Sequence, residues 1–276
     1  MLRDASCRVP RSPLPSTHDR RPTDMDLSAG PIALLAGAGF AAGAINAAAG
    51  GGSLVSFPAL VALGYPSLSA NVTNNVAVAP GYIGGAVGYR HGLRGQRGRI
   101  IPLAIASAVG SLIGVGLLLV STQQAFEIIV PFLVLLASAL IAAQPVISRW
   151  TDKHLGSGDR PGIGALTGQT LVAAYGGYFS AALGVAVLAL LGIFLEDTLQ
   201  RLNALKALLQ LLIGAVSAVG FAFLAQVDWV AVAIIGPASV IGGEIGARLA
   251  QRVSDRWLRV GIVAYGLAAA IWLFVR

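Results

Sequence analysis

Eight apolar runs, at roughly 31–63, 71–89, 100–120, 126–147, 162–193, 202–225, 229–250 and 257–275, fill nearly all of the chain after its first thirty residues. Most approach the ~20 residues that cross a bilayer core as helix. In lipid the backbone must satisfy its own polar groups, which leaves helices and closed barrels as spanning forms. A barrel would show short alternating strands, and runs such as 128–143 do not alternate. The expected fold class is therefore all-α and polytopic, a membrane protein of about eight apolar segments. Composition agrees, with 56% hydrophobic residues, 11% charged residues and a mean hydropathy of +0.77.

The net charge of +7 does not imply nucleic acid, because the basic residues form short clusters between apolar runs. Clusters of that kind mark cytoplasmic loops. The single cysteine, Cys7, lies in the polar amino-terminal stretch, so neither a disulfide framework nor a thiolate metal site is available. Residues 1–30 are Arg- and Pro-rich and are expected to be a disordered tail. Met25 opens "MDLSAGPIALLAG", a natural start, so residues 1–24 are suspected of not being translated. Beyond the tail the chain divides into a first transmembrane repeat at 31–147, a polar loop at 148–161 and a second repeat at 162–276.

Two runs, 31–63 and 162–193, are too long for one upright crossing, and both carry glycine near the middle. They are expected to be broken helices or re-entrant hairpins. "AGGGSLVSFPALVALG" (Ala49 to Gly64) and "YGGYFSAALGVAVLALLG" (Tyr175 to Gly192) each place a small-residue break before an apolar run ending in Leu-Gly. Polar stretches follow both, "SANVTNN" at 69–75 and "RLNALK" at 201–206, and Gly39 and Gly43 loosely match Gly164 and Gly168. An internal duplication is the economical reading. Arg90 to Arg99 and Arg248 to Arg259 each hold four arginines, against no acid and one acid respectively, so both are expected to face the cytoplasm. That parity holds only if 162–193 returns to its starting side. If 31–63 does the same, each half has three further crossings and the halves are inverted, an arrangement found in transporters. The amino terminus would then lie outside, against the five arginines of residues 1–30, which a start at Met25 removes.

A helix break in lipid is tolerable only where protein or a water-filled cavity satisfies its backbone, so a break marks a cavity. Gly50, Gly51 and Gly52 allow the turn. A half-helix starting at Ser53 would point its N–H groups and positive dipole end into the cavity beside Asn46, where an anion is favoured. A packing notch is the competing reading. Asn71, Thr73, Asn74 and Asn75 exceed the needs of one helix cap. Asn203 and Lys206 stand at the comparable place in the second half, and a lysine several residues into an apolar helix marks a functional site unless it snorkels to the interface. Gln169 and Tyr175 could line the same cavity or simply pack. Glu244 is expected to pair with Arg248 on its helix face, and Trp150, Trp229, Trp257 and Trp272 to anchor segment ends.

"GAGFAAG" at 37–43 imitates a dinucleotide fingerprint, but no strand precedes it and small-residue helix packing explains it, as it does Gly110/Gly114 and Gly242/Gly246. The histidines His18, His91 and His154 lie in tails or loops, and the apolar segments hold neither paired aspartates nor a Ser with a buried His. No metal site, cofactor or enzymatic activity is expected.

"NAAAGGGSLVSFPALVALG", "SANVTNNVA", "YGGYFSAALG", "RLNALKALL", "VDW" and "GGEIGARLA", in that order from about residue 31 onward, resemble the TauE/SafE sulfite exporter family, also described as 4-toluene sulfonate uptake permeases. The resemblance implies a multi-pass inner-membrane transporter of sulfur-containing or organic anions such as sulfite or sulfonates. The anion is then expected at Gly50 to Gly52, at Asn71 to Asn75, and at Asn203 with Lys206, with Arg201 steering at the mouth. Gly176, Gly177 and Ser180 would supply the second break's share, although no triple glycine or proline stands there. Alternating access of two inverted halves is the expected mechanism, with an anion channel or a non-transporting scaffold as alternatives. The partners expected are a small anion and the lipid bilayer, with a homo-oligomer left open.

Overall fold

A computed structural model describes residues 28–48, 50–153, 161–250 and 255–275; residues 1–27, with the Met25 start, lie outside these, and the last residues of the expected tail, Ala29 and Gly30, open the first helix. Every described element is helical: α1 (Ala29–Ala48), α2 (Ser53–Ala62), α3 (Ser67–Val78), α4 (Gly81–Gly88), α5 (Arg97–Val120), α6 (Gln123–Lys153), α7 (Ile163–Tyr178), α8 (Leu183–Phe194), α9 (Leu199–Leu224), α10 (Trp229–Ala250) and α11 (Asp255–Val275), with a 3-10 turn at Arg90–Leu93. Four of them, α1, α5, α6 and α9, are long and apolar enough over their described lengths to cross a membrane, and shorter apolar segments lie in α2, α8, α10 and α11. Ile105, Leu171 and Phe223 are among many large apolar side chains turned outward, as lipid-facing positions are. α6 runs through Lys153, into the stretch expected as polar loop.

α2 and α3 stop where the sequence removes helical options. α2 ends in a Schellman arrangement, with Gly64 at φ +92°, Gly64 N–H donating to the Val61 carbonyl (3.0 Å) and Tyr65 N–H to that of Leu60 (3.3 Å). Pro66 then forbids continuation. α3 and α4 are parted at Ala79–Pro80, whereas α9, which lacks a proline, runs unbroken. The Asp228 carboxylate caps α10 by accepting from Val230 N–H (2.9 Å) and Ala231 N–H (3.0 Å).

The two long apolar runs both fold back on themselves. In the second, a Cβ added to Gly164, Gly168 or Gly176 would meet Phe194, Leu190 or Leu183, so α7 and α8 are antiparallel. Gly164 and Gly168 thus serve the hairpin. They are not the counterparts of Gly39 and Gly43, because those two lie against the α10 backbone at Ile235 and Ser239. In the first run, α1 turns at Gly50–Gly52 into α2, and Gly52 sits on the Ala42 carbonyl. α1 lies parallel to α10, and α7 lies parallel to α5 through Gly110, Gly114 and Gly177, each approaching the opposing backbone too closely for a side chain. Small residues allow such approach, and contact dispersion holds helices together where lipid supplies no hydrophobic drive.

These pairings fix directions. α5 starts at an arginine-rich end of the bundle, beside the α8–α9 loop; α10 starts at the opposite end, where Tyr65 Oη donates to Asp228 Oδ2 (2.7 Å). The α7–α8 hairpin therefore enters and leaves at the arginine end, and the α1–α2 hairpin at the Asp228 end. Their tips meet inside the bundle, where Gly184 N–H points to the Gly50 carbonyl (3.4 Å). Some positions 132 apart hold similar places: Gly50 and Ala182 both take left-handed backbone, and Gly110 and Gly242 both seat a neighbouring helix. Tyr65 and Asp197, again 132 apart, each bond to the start of a long helix distant in the chain, α10 and α5 respectively.

Candidate functional site

The first break is built around Asn46. Its Oδ1 accepts the Gly52 N–H at 2.7 Å, and that bond decides how the amide lies, leaving Nδ2 without a partner. Gly50, at φ +77°, donates its N–H to the carbonyls of Ile45 and Asn46 (3.1 Å each) and rests on Gly184. Gly51 leaves room for Ile141. Ser53, the first residue of α2, shares a 3.0 Å hydrogen bond with Ser180 of the second break. Gly176 and Gly177 make room for Leu183, Ile213 and the Ser111 backbone, and the Tyr175 hydroxyl closes the second break by donating to the Ala181 carbonyl.

Against this junction lies a cavity of about 30 Å³, lined by Asn46 and Ala47 of α1, Gly81, Tyr82 and Gly85 of α4, Tyr89, and Lys206, Ala207 and Gln210 of α9. At the ~10–15 Å³ that one water needs, it holds about two waters. Tyr82 is buried at its inner part, and Tyr89, 40% exposed, stands toward the arginine end, so the cavity leads to that end. In the other direction Phe57 packs edge-to-face on Phe126 (6.4 Å) and Phe179 (5.5 Å), all buried, and these rings separate the breaks from the Asp228 end.

The polar groups of this region have a common character. Asn46 Nδ2, Gln210 Nε2 and the Tyr82 hydroxyl are buried without a hydrogen bond, and Lys206 adds an ammonium. The Tyr82 hydroxyl lies near Ser53, Ser180 and Gln210 without a bond of regular geometry to any of them. Gln210 Oε1 is turned to Gly184, where an added Cβ would stand 2.9 Å from it. The Asn46 oxygen is taken by Gly52, so its nitrogen is left to donate, and the Gln210 nitrogen and the Tyr82 hydroxyl can donate beside it. No carboxylate lines the cavity. Unfilled buried donors cost free energy, roughly 1–3 kcal/mol each, which an acceptor-rich guest offsets.

The other expected residues sit elsewhere. Asn71 Nδ2 donates to the Tyr178 carbonyl (2.8 Å) and Asn75 Nδ2 to the Asn71 carbonyl (3.1 Å), which ties α3 to the second break. Thr73 Oγ1 accepts the Asp228 N–H at 3.1 Å. Asn74 is buried with both side-chain polar atoms unpartnered. Asn203 bonds back to the Leu199 carbonyl (2.9 Å), and Gln169 donates to Ser107 Oγ (2.8 Å) between α7 and α5. The triple glycine touches the cavity only through Asn46, and the α2 start is largely satisfied locally: Leu54 and Val55 N–H donate to the Gly51 and Gly52 carbonyls. Glu244 is described, but the side chain of Arg248 lies outside the described residues. Tyr82 and Gln210 were not singled out by sequence. Gln210, one helical turn after Lys206 in an apolar helix, carried a readable signal; Tyr82, between glycines, did not.

Arg201, expected at the mouth, belongs to a clasp at the arginine end. Arg99 Nη1 donates to Asp197 Oδ2 (2.6 Å), Arg201 Nε to the same oxygen (2.8 Å), and Arg99 Nη2 to the Glu196 carbonyl (3.0 Å). Burial alone would raise the Asp197 carboxyl. Hydrogen bonds from Arg201 and the Thr198 N–H, with the charges of Arg201 and Arg99, outweigh it and hold the group below the ordinary carboxylate value.

The family model described as "Sulfite exporter TauE/SafE" matches residues 35–273. A "Probable membrane transporter protein ORF9" from Sinorhizobium sp is 28% identical over 258 residues, covering 90% of this chain and 94% of that protein. No solved structure matches. A family match over nearly the whole helical bundle, joined to helices of membrane-spanning length and an outward apolar surface, makes the chain a member of the TauE/SafE family and a multi-pass membrane transporter.

Proposed function

We propose that the chain carries small acceptor-rich anions, sulfite and short sulfonates among them, across the inner membrane by alternating access around the Lys206 cavity. The observation that carries this reading is the donor-rich lining: one ammonium, the unpartnered Asn46 and Gln210 amide nitrogens and the Tyr82 hydroxyl, with no carboxylate. The family's description as sulfite exporters agrees with it. Arg90, Arg94, Arg97 and Arg99 make the arginine end the cytoplasmic one by charge, so the cavity faces the cytoplasm and the Phe57–Phe126–Phe179 cluster closes the outer side. Two hairpins entering from opposite ends, with some similar places 132 positions apart, support reading the halves as inverted repeats that rock about the Gly50–Gly184 contact. A pore would need an open path where those rings pack, which favours a carrier over a channel.

Flux of radiolabelled sulfite and methanesulfonate into proteoliposomes, handled anaerobically, tests the proposal. Saturable uptake is expected, falling roughly tenfold or more in Lys206→Ala, since a hydrogen bond to a charged group is worth ~1.5–3 kcal/mol. Tyr82→Phe, which keeps the ring, should fall less. No flux of either anion, or equal flux in a folded Lys206→Ala protein, overturns it.

A further inference from the structure

We propose that this carrier exchanges one monovalent anion for another, and that Lys206 is what holds the empty form in place. The inference rests on the anion-carrier reading above and adds the mode of coupling. Lys206 is the only basic side chain lining the cavity; Asn46, Gln210 and two tyrosines provide the other polar groups, and the rest of the wall is alanine and glycine. Arg201, the nearest basic residue along the chain, is held with Arg99 by Asp197 at the arginine end. Among the described residues no ion pair involves Lys206.

In the conformation described, Lys206 is half-buried and lines the cavity that leads toward Tyr89. To present the site to the other side, the walls at Gly81, Gly85 and Ala207 must close behind Lys206. They offer it no counter-charge. An unpaired ammonium removed from water is costly, and a pair with good donors around it is much less so. A monoanion in the cavity cancels the charge, and its acceptors meet the Asn46, Gln210 and Tyr82 donors. A dianion would leave a net negative charge in the same closed space. The singly loaded carrier therefore closes and reopens, while the empty one stays on its side until another anion arrives.

The test uses proteoliposomes of the full chain, with the membrane potential clamped by valinomycin and equal potassium. Labelled methanesulfonate, a monoanion at any working pH, and labelled sulfite at mildly acidic pH are the probes. The expected result is uptake roughly tenfold faster into vesicles preloaded with the same unlabelled anion than into vesicles holding only an impermeant buffer. In Lys206→Gln, residual flux should lose that acceleration. Equal wild-type rates into preloaded and empty vesicles overturn exchange and leave the anion-carrier reading intact. No uptake under either condition overturns the carrier reading, and exchange with it.

Discussion

Lys206 and Gln210 stand one helical turn apart on α9, and what they do depends on neighbours far away in sequence: Asn46, brought by the first break, and Tyr82, brought by α4. The lysine was legible because a charge inside an apolar run always asks for a reason. Its surroundings were not legible, since Asn46 shows its donor only once Gly52 takes its oxygen. The same holds for glycine. Gly37 and Gly43 look alike in α1, yet a Cβ on Gly37 meets nothing within 4 Å, and one on Gly43 runs into the Ser239 carbonyl. Gly43→Ala is expected to destabilise by ~1–3 kcal/mol through overpacking. Gly37→Ala should be neutral or stabilising by up to ~1 kcal/mol through helix propensity. Thermal unfolding of both variants in detergent measures the contrast, and equal shifts would refute the close α1–α10 contact.

At the scale of elements, the breaks were readable from composition, and the return of 162–193 to its own side from the arginine clusters flanking it. What the breaks contain was not, because the left-handed residue of the second break is Ala182 at φ +56°, which no glycine announces. The loops joining hairpins to long helices were also silent. The α8–α9 loop holds Asp197 between Arg99 and Arg201, which fastens two helix starts at the arginine end. With the folded carboxyl below its ordinary value, this link contributes stability above the unfolded carboxylate pKa of ~3.9 and loses it as pH falls through the folded value. Unfolding midpoints measured from neutral pH into acid should therefore drop less steeply below about pH 4 in Asp197→Asn than in the natural protein. Parallel acid limbs would assign the acid loss to other groups.

The whole molecule is two sets of helices in which each hairpin packs on a helix of the other set, α1 on α10 and α7 on α5. Sequence patterns suggested a duplication but not this exchange of partners, because a contact between α1 and α10 spans most of the chain and leaves only small residues as its trace. The consequence is that a rocking of one set against the other moves both hairpin tips at once, and the Lys206 cavity lies beside those tips. If the cavity is a transport site, a side chain lining it must meet water on both sides of the membrane in turn. Gly85 suits the measurement, since its Cβ position is 4.0 Å from Ala207 and a cysteine fits there. In a Cys7→Ser background, Gly85→Cys is exposed to an anionic methanethiosulfonate reagent from either face, with Arg97→Cys and Gln226→Cys, exposed positions at the two ends, as controls. The account predicts modification of Gly85→Cys from both faces, of Arg97→Cys from the cytoplasm only and of Gln226→Cys from outside only. Modification of Gly85→Cys from one face alone, in protein that transports, would contradict alternating access around this cavity.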